Sequence, residues 1–171
     1  MPRYVAFLRG VSPLTAKSAD LKRSFEAAGF TNVKTILSSG NVAFDASTKS
    51  ESAIEKRAEV ALQESLGRSF YTIVRPSVYL NELLANDPYT NYTYPPNAKR
   101  VVSFLRVSCE SKVPLPLASD DACVLGMIGR EVFTTYSPNP KGPVFMQLIE
   151  RAFGATVTTR TWETVRKCAT S

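Results

Sequence analysis

Five consecutive apolar residues stand between two arginines in Arg3-Tyr4-Val5-Ala6-Phe7-Leu8-Arg9. Read as a strand, Tyr4, Ala6 and Leu8 face one way and Val5 and Phe7 the other. Both sets are apolar, so the strand needs cover on both faces of its sheet. That requirement argues against an open, one-sided platform. The following residues supply helices for the cover. Leu21, Phe25 and Ala28 recur at helical spacing after Ser18, a residue type suited to an N-cap, and Gly29 stands where a helix-terminating glycine belongs. Val33 to Leu37 and Val42-Ala43-Phe44 read as two further strands. Between them Ser38-Ser39-Gly40-Asn41 carries turn chemistry, with Gly40 and Asn41 suited to the corners of a type II′ hairpin. Ser50 opens a long helix that buries Ile54, Ala58, Ala61, Leu62 and Leu66 and stops at Gly67. Phe70 to Val74 is a fourth strand, ended by Pro76. The order βαββαβ is the split arrangement of a ferredoxin-like unit.

The second half repeats the order. Val78 to Ala85 reads as a short linking helix, and Asn86 to Arg100 has three prolines and three tyrosines without a period. Arg100 to Leu105 alternates as a strand. The segment from Cys109 to Asp121 holds Pro114 and Pro116 where a crossover helix belongs, so that helix is expected to be short or degraded. Ala122 to Ile128 and Glu131 to Tyr136 form a hairpin around Gly129-Arg130. Pro143 suits a first helical position, ahead of Phe145, Leu148, Ile149 and Ala152. Thr156 to Thr159 is a last strand, and Thr161 caps a terminal helix. The expected fold is therefore α+β, with two ferredoxin-like subdomains. Residues 1–76 form the first, 77–99 the connection and 100–171 the second.

Composition removes several chemistries. The chain of 171 residues contains no histidine, so neither a Ser-His-Asp nor a Cys-His relay can be built from it. Its three cysteines, Cys109, Cys123 and Cys168, have no metal-like spacing. No metal or cofactor is expected. The start of the chain does not read as a signal peptide and no apolar run is long enough for a bilayer, so a soluble cytoplasmic protein is expected, with no membrane partner. The net charge is +6 and the pI about 9.3. The excess gathers toward the C-terminus, at Lys141, Arg151, Arg160, Arg166 and Lys167 against Glu150 and Glu163. Either this is ordinary solubility charge or it is a patch for nucleic acid or a phosphate-containing ligand.

Four ordered pieces, Tyr4-Val5-Ala6-Phe7-Leu8-Arg9-Gly10, Ala27-Ala28-Gly29-Phe30, Leu37-Ser38-Ser39-Gly40-Asn41-Val42 and Thr158-Thr159-Arg160-Thr161-Trp162-Glu163-Thr164-Val165, resemble a bacterial family, domain of unknown function 1697. The resemblance implies two ferredoxin-like halves and brings no activity with it. In the family the first piece continues with a pair of glycines. Here it continues Val11-Ser12-Pro13-Leu14, which is shorter and lacks them. Thr161 stands where the family has asparagine.

Six residues are candidates for binding: Arg9, Ser39, Asn41, Lys141, Arg160 and Trp162. Arg9-Gly10 ends a strand ahead of a helix, where a guanidinium beside free amides suits an oxyanion, with the Asn41 amide a candidate to orient water there. The plainer reading pairs Arg9 with a carboxylate and leaves Ser38 and Ser39 to bond their own turn. Lys141 precedes a helix start. Arg160 lies close to Trp162, the sole tryptophan, whose plainer role is as a core anchor. Tyr89, Tyr92 and Tyr94 stand near Lys99 and Arg100, either to stack bases or simply to cover apolar surface. The leading expectation is a non-catalytic binder of an anionic ligand, monomeric or weakly dimeric. The alternatives are a phosphoryl- or acyl-transfer or hydrolysis enzyme using Arg9 and Asn41, and a scaffold that pairs through an edge strand.

Overall fold

The structure is a computed structural model that describes residues 1–138 and 144–171. The chain divides into two compact units, Met1–Ala85 with Val165–Ser171, and Asn86–Thr164. Among the described residues, two antiparallel sheets and five helices make up an α+β protein.

The first unit runs β1 (Arg3–Leu8), α1 (Ser18–Ala27), β2 (Thr31–Thr35), β3 (Asn41–Asp45), α2 (Glu51–Leu66) and β4 (Thr72–Pro76), followed by α3 (Ser77–Asn86). Its sheet has the order β2-β3-β1-β4, so the fully apolar β1 is central. Tyr4, Ala6 and Leu8 join a core with Leu21, Phe25, Phe44, Ile54 and Leu62, and the alternate residues Val5 and Phe7 are equally buried. Helix α2 begins as its sequence suggests, with Ser50 Oγ accepting the Ala53 N–H at 3.2 Å. Gly67 closes it in the left-handed conformation. Helix α1 begins differently: Ser18 is its first residue, and the N-cap position is Lys17, which provides no side-chain cap.

The β2–β3 connection also departs from the expected two-residue turn. Ile36 N donates to Asn41 O at 2.9 Å, which leaves Leu37-Ser38-Ser39-Gly40 as a four-residue loop. Leu37 and Gly40 take the positive φ values, 59° and 85°, and Asn41 belongs to β3, opposite Phe7. Strand β4 lies two residues later than its apolar run suggested, and Pro76 is its last residue rather than the residue beyond it.

Strand β4 is a sheet edge, and α2 covers its donors. Glu59 Oε2 accepts the Thr72 N–H at 3.1 Å and Glu55 Oε2 accepts the Val74 N–H at 3.0 Å. Pro76 continues the same alternation and has no N–H to offer. Little donor edge is left for another strand, so edge-to-edge pairing is unfavourable here. Glu55 is itself buried. Replacing Glu55 by alanine strands the Val74 donor, and the expected loss is about 1–3 kcal/mol in urea denaturation. Glu55→Gln keeps an acceptor and should lose distinctly less.

A second tie joins the strand ends. Arg3 Nη1 donates to Asp45 Oδ1 at 2.8 Å and to Asn32 O at 3.1 Å, while Asn32 Nδ2 donates to Asp45 Oδ2 at 2.6 Å. The Asn32 hydrogen bond, and next the Arg3 hydrogen bond, hold the Asp45 carboxyl below the usual carboxylate range. Between the depressed folded value and the ordinary value of about 4, the unfolded chain binds more protons. The contribution of Asp45 is therefore complete above about pH 4 and is lost as pH falls through the folded value. Asp45→Asn should flatten the acid limb of a stability–pH curve; an unchanged slope would show that the tie carries no linkage.

The second unit contains a 3-10 turn (Pro88–Asn91), β5 (Lys99–Phe104), β6 (Leu117–Ala118), β7 (Ala122–Ile128), β8 (Glu131–Tyr136), α4 (Val144–Phe153) and β9 (Thr158–Thr161). Helix α5 (Trp162–Ala169) starts in this unit, and its residues from Val165 onward group with the first. The sheet order is β6-β7-β8-β5-β9. Without the two-residue β6, this is the order of the first sheet. The first crossover forms no helix. Pro114 and Pro116 exclude one, and Leu117 and Ala118 pair along the β7 edge instead. Helix α4 packs on β7 and β8 through Leu148, Ile149 and Ala152, with Val124 and Val132 beneath. Tyr89 is fully buried, its ring edge-on to Phe133 and Trp162 at centroid distances of 5.5 and 5.1 Å. The tyrosine-rich connection thus covers apolar surface.

Candidate functional site

Three of the six candidate residues fall in the first unit. Arg9 follows β1, with its backbone N–H on Tyr71 O at 2.9 Å. In the loop behind it four amides are bonded within the loop itself. Ser12 N donates to Thr15 Oγ1 at 2.8 Å and Leu14 N to Ser12 Oγ at 3.3 Å, while Thr15 N and Ala16 N donate to Ser12 O. Amides so engaged do not converge on an anion. Asn41, 1% exposed, donates from Nδ2 to Ile36 O and to Ser39 Oγ, each at 2.9 Å. Its amide braces the loop. Leu8 N reaches Gly40 O at 2.8 Å, so the Arg9 and Ser39 loops meet at one end of the sheet. Lys141 lies outside the described residues.

The other two candidates lie in the second unit, near a residue not among the six. Arg160 stands on β9 opposite Val102 of β5, and Nη1 donates to Thr159 O at 2.8 Å. Trp162 follows at the start of α5. The same register puts Arg100 on the face of the sheet that carries Arg160, one step toward Trp162. Lys99, Arg100, Thr161, Trp162, Glu163 and Ala98 line an open cleft of about 330 Å³.

Arg100 is loosely held. Its guanidinium lies 3.8 Å from Asp87 Oδ2 and 3.8 Å from Glu163 Oε1, beyond hydrogen-bond distance in both cases. It sits over the Tyr89 ring, 5.6 Å from the centroid. Both ion pairs are partly exposed and contribute little to stability. Tyr89 donates to Val101 O, and burial pushes its hydroxyl far above the ordinary tyrosine range, so it remains a neutral platform. Trp162 is 1% exposed, and its indole N–H has no acceptor among the described residues. Thr161 caps α5, accepting the Thr164 N–H at 3.2 Å. The sequence alone set Lys99 and Arg100 beside the tyrosines. Their closeness to Trp162 follows only from β5–β9 pairing.

Among the described residues no group of side chains is arranged for a metal ion, and no helix is long and apolar enough to cross a membrane. Two antiparallel sheets in ferredoxin-like order, the second beside an arginine- and tryptophan-lined cleft, define the class of protein. The chain belongs to the family described as protein of unknown function (DUF1697), whose model matches residues 1–124. The cleft residues Thr161, Trp162 and Glu163 lie beyond that span. A solved structure, the conserved bacterial protein SP0830 from Streptococcus pneumoniae, is similar over 99% of this chain and 97% of its own, with a TM-score of 0.70 and 16% identity. At that identity the likeness concerns the fold alone. No curated protein matches.

Proposed function

We propose that this protein is a non-catalytic binder of an anionic ligand and that the ligand sits in the cleft of the second unit. The observation that carries this reading is Arg100. Its guanidinium borders an open cleft, stacks on a buried ring and makes only 3.8 Å contacts to its carboxylate neighbours. A phosphate or carboxylate at hydrogen-bond distance offers it a stronger, bidentate partner. Lys99, on the cleft wall, and Arg160, on the same sheet face, add positive charge. A chain without histidine, whose Thr161 hydroxyl is already bonded to Thr164 Oγ1 at 2.8 Å, offers no nucleophile–base pair there.

Calorimetric titration with inorganic phosphate and with mixed-sequence oligonucleotides tests the reading. Affinity should fall as salt rises from about 50 to about 200 mM. Arg100→Gln should weaken binding about tenfold or more, the loss expected for one charge-assisted contact. Arg9→Gln should leave it unchanged. Binding that ignores both salt and Arg100, or that depends on Arg9 instead, would overturn this assignment.

A further inference from the structure

The connections at one end of the first sheet combine exposed apolar tips with charge of one sign. Phe7 pairs with Asn41, Leu8 with Thr72 and Thr35 with Val42, so residues 9–17, 36–40 and 67–71 all leave the sheet at that end. Leu14, 97% exposed, lies in the first of them, and Leu37, 51% exposed, in the second. The two loops meet, because Leu8 N reaches Gly40 O and a Cβ on Gly40 would stand 2.8 Å from Val11 Cβ. Val11 packs against the core, whereas the turn bonded between Ser12 and Thr15 carries Leu14 clear of it. Leu37 has φ 59°, a left-handed conformation that leucine adopts only at a cost. Its side chain has no polar atom to bond the turn, so turn chemistry does not account for a leucine there. A single exposed leucine calls for no explanation, but two on adjoining loops do.

The three connections contain Arg9, Lys17 and Arg68 and no aspartate or glutamate, and Lys34 stands exposed on β2 beside them. Of the carboxylates in the flanking helical turns, Asp20 pairs with Arg23 and Glu59 accepts the Thr72 N–H, which leaves Glu64. Apolar tips among cations complement a surface that is anionic outside and hydrocarbon beneath. Energetic anchors between proteins favour aromatic residues over leucine and fill pockets shaped to them. A lipid layer takes isolated side chains without such a pocket. We infer that this end of the first unit docks on an anionic lipid surface, with Leu14 and Leu37 entering the acyl boundary and Lys17 and Arg68 meeting the headgroups. The chain then lies on the membrane and does not cross it. The sequence alone pointed to no membrane partner, because neither leucine belongs to a long apolar run. The surface belongs to the first unit and does not depend on the reading of the Arg100 cleft.

Co-sedimentation of the full chain with phosphatidylcholine vesicles, with and without roughly 30% phosphatidylserine, tests the inference. The chain should bind the anionic vesicles, and binding should fall as salt rises. Leu14→Ala should weaken it about tenfold, the effect of withdrawing most of one apolar side chain, with a urea midpoint close to wild type. Lys17→Gln and Arg68→Gln should each weaken it about fivefold. Val60→Ala truncates an apolar side chain that is 49% exposed on α2, outside the three connections, and should bind as wild type does. No binding to anionic vesicles, equal binding to neutral ones, or binding that Leu14→Ala leaves unchanged would overturn the inference. Dimers that form without lipid and are lost in Leu14→Ala would overturn it too, since a second copy would then cover the leucines.

Discussion

Gly40→Ala is expected to destabilise the first unit by about 2–5 kcal/mol, through two separable effects. Gly40 has φ +85°, a conformation that costs an L-residue with a Cβ roughly 1–2 kcal/mol. A Cβ there would also stand 2.8 Å from Val11 Cβ and 3.1 Å from Leu8 O. Backbone and a branched side chain give way only by shifting the loop, and overpacking of that kind costs about 1–3 kcal/mol. Gly67 separates the two effects. It has φ +71°, but nothing lies within 4 Å of an added Cβ. Gly67→Ala should therefore show the backbone term alone, about 1–2 kcal/mol. Urea midpoints of the two variants check this. Equal losses would mean that the Val11 and Ser39 loops do not approach each other as described.

The largest loss is expected from Phe44→Ala, about 3–5 kcal/mol. Phe44 is fully buried on β3, with Phe30 at a centroid distance of 4.6 Å, Phe25 at 5.3 Å and Tyr4 at 6.1 Å. It connects the central strands to Phe25 of α1 and to Phe30, which directly precedes β2. Alanine removes the ring and leaves a cavity bounded by three aromatic side chains that cannot all collapse into it. Leu14→Ala is the control. Leu14 is 97% exposed, so its loss should stay within about 0.5 kcal/mol. Chemical denaturation of both variants separates burial from hydrophobicity as such, because both residues are apolar. A Phe44→Ala loss near that of Leu14→Ala would contradict the core described for the first unit.

The parts legible in the sequence were those governed by local chemistry. The apolar run of β1 demanded two covered faces, and both sets of its side chains are buried. Ser50 and Gly67 bounded α2 because cap preferences act over one helical turn. The prolines at 114 and 116 removed a helix by losing N–H groups, again a local effect. What remained hidden depended on the tertiary structure. Gly40-Asn41 has the composition of a two-residue turn, but β1 claims Asn41 as a strand partner, and the loop lengthens to take in Leu37 and Ser38. Whether Asn41 faces a ligand or its own loop is decided by which carbonyl stands nearby, and Ile36 O does. Arg100 shows the same limit. Its neighbours in sequence are tyrosines and prolines, whereas its neighbours in space include Glu163 and the cleft that Trp162 lines, brought together by a strand pairing that no local pattern encodes.

The cleft carries the functional account, and the single tryptophan gives direct access to it. In a titration with inorganic phosphate followed by NMR, the one indole N–H signal should move and saturate. Its movement should shrink as salt rises and vanish in Arg100→Gln. An indole signal that stays fixed while phosphate binds elsewhere, or that moves equally in wild type and Arg100→Gln, would contradict an anion site at Arg100 and Trp162.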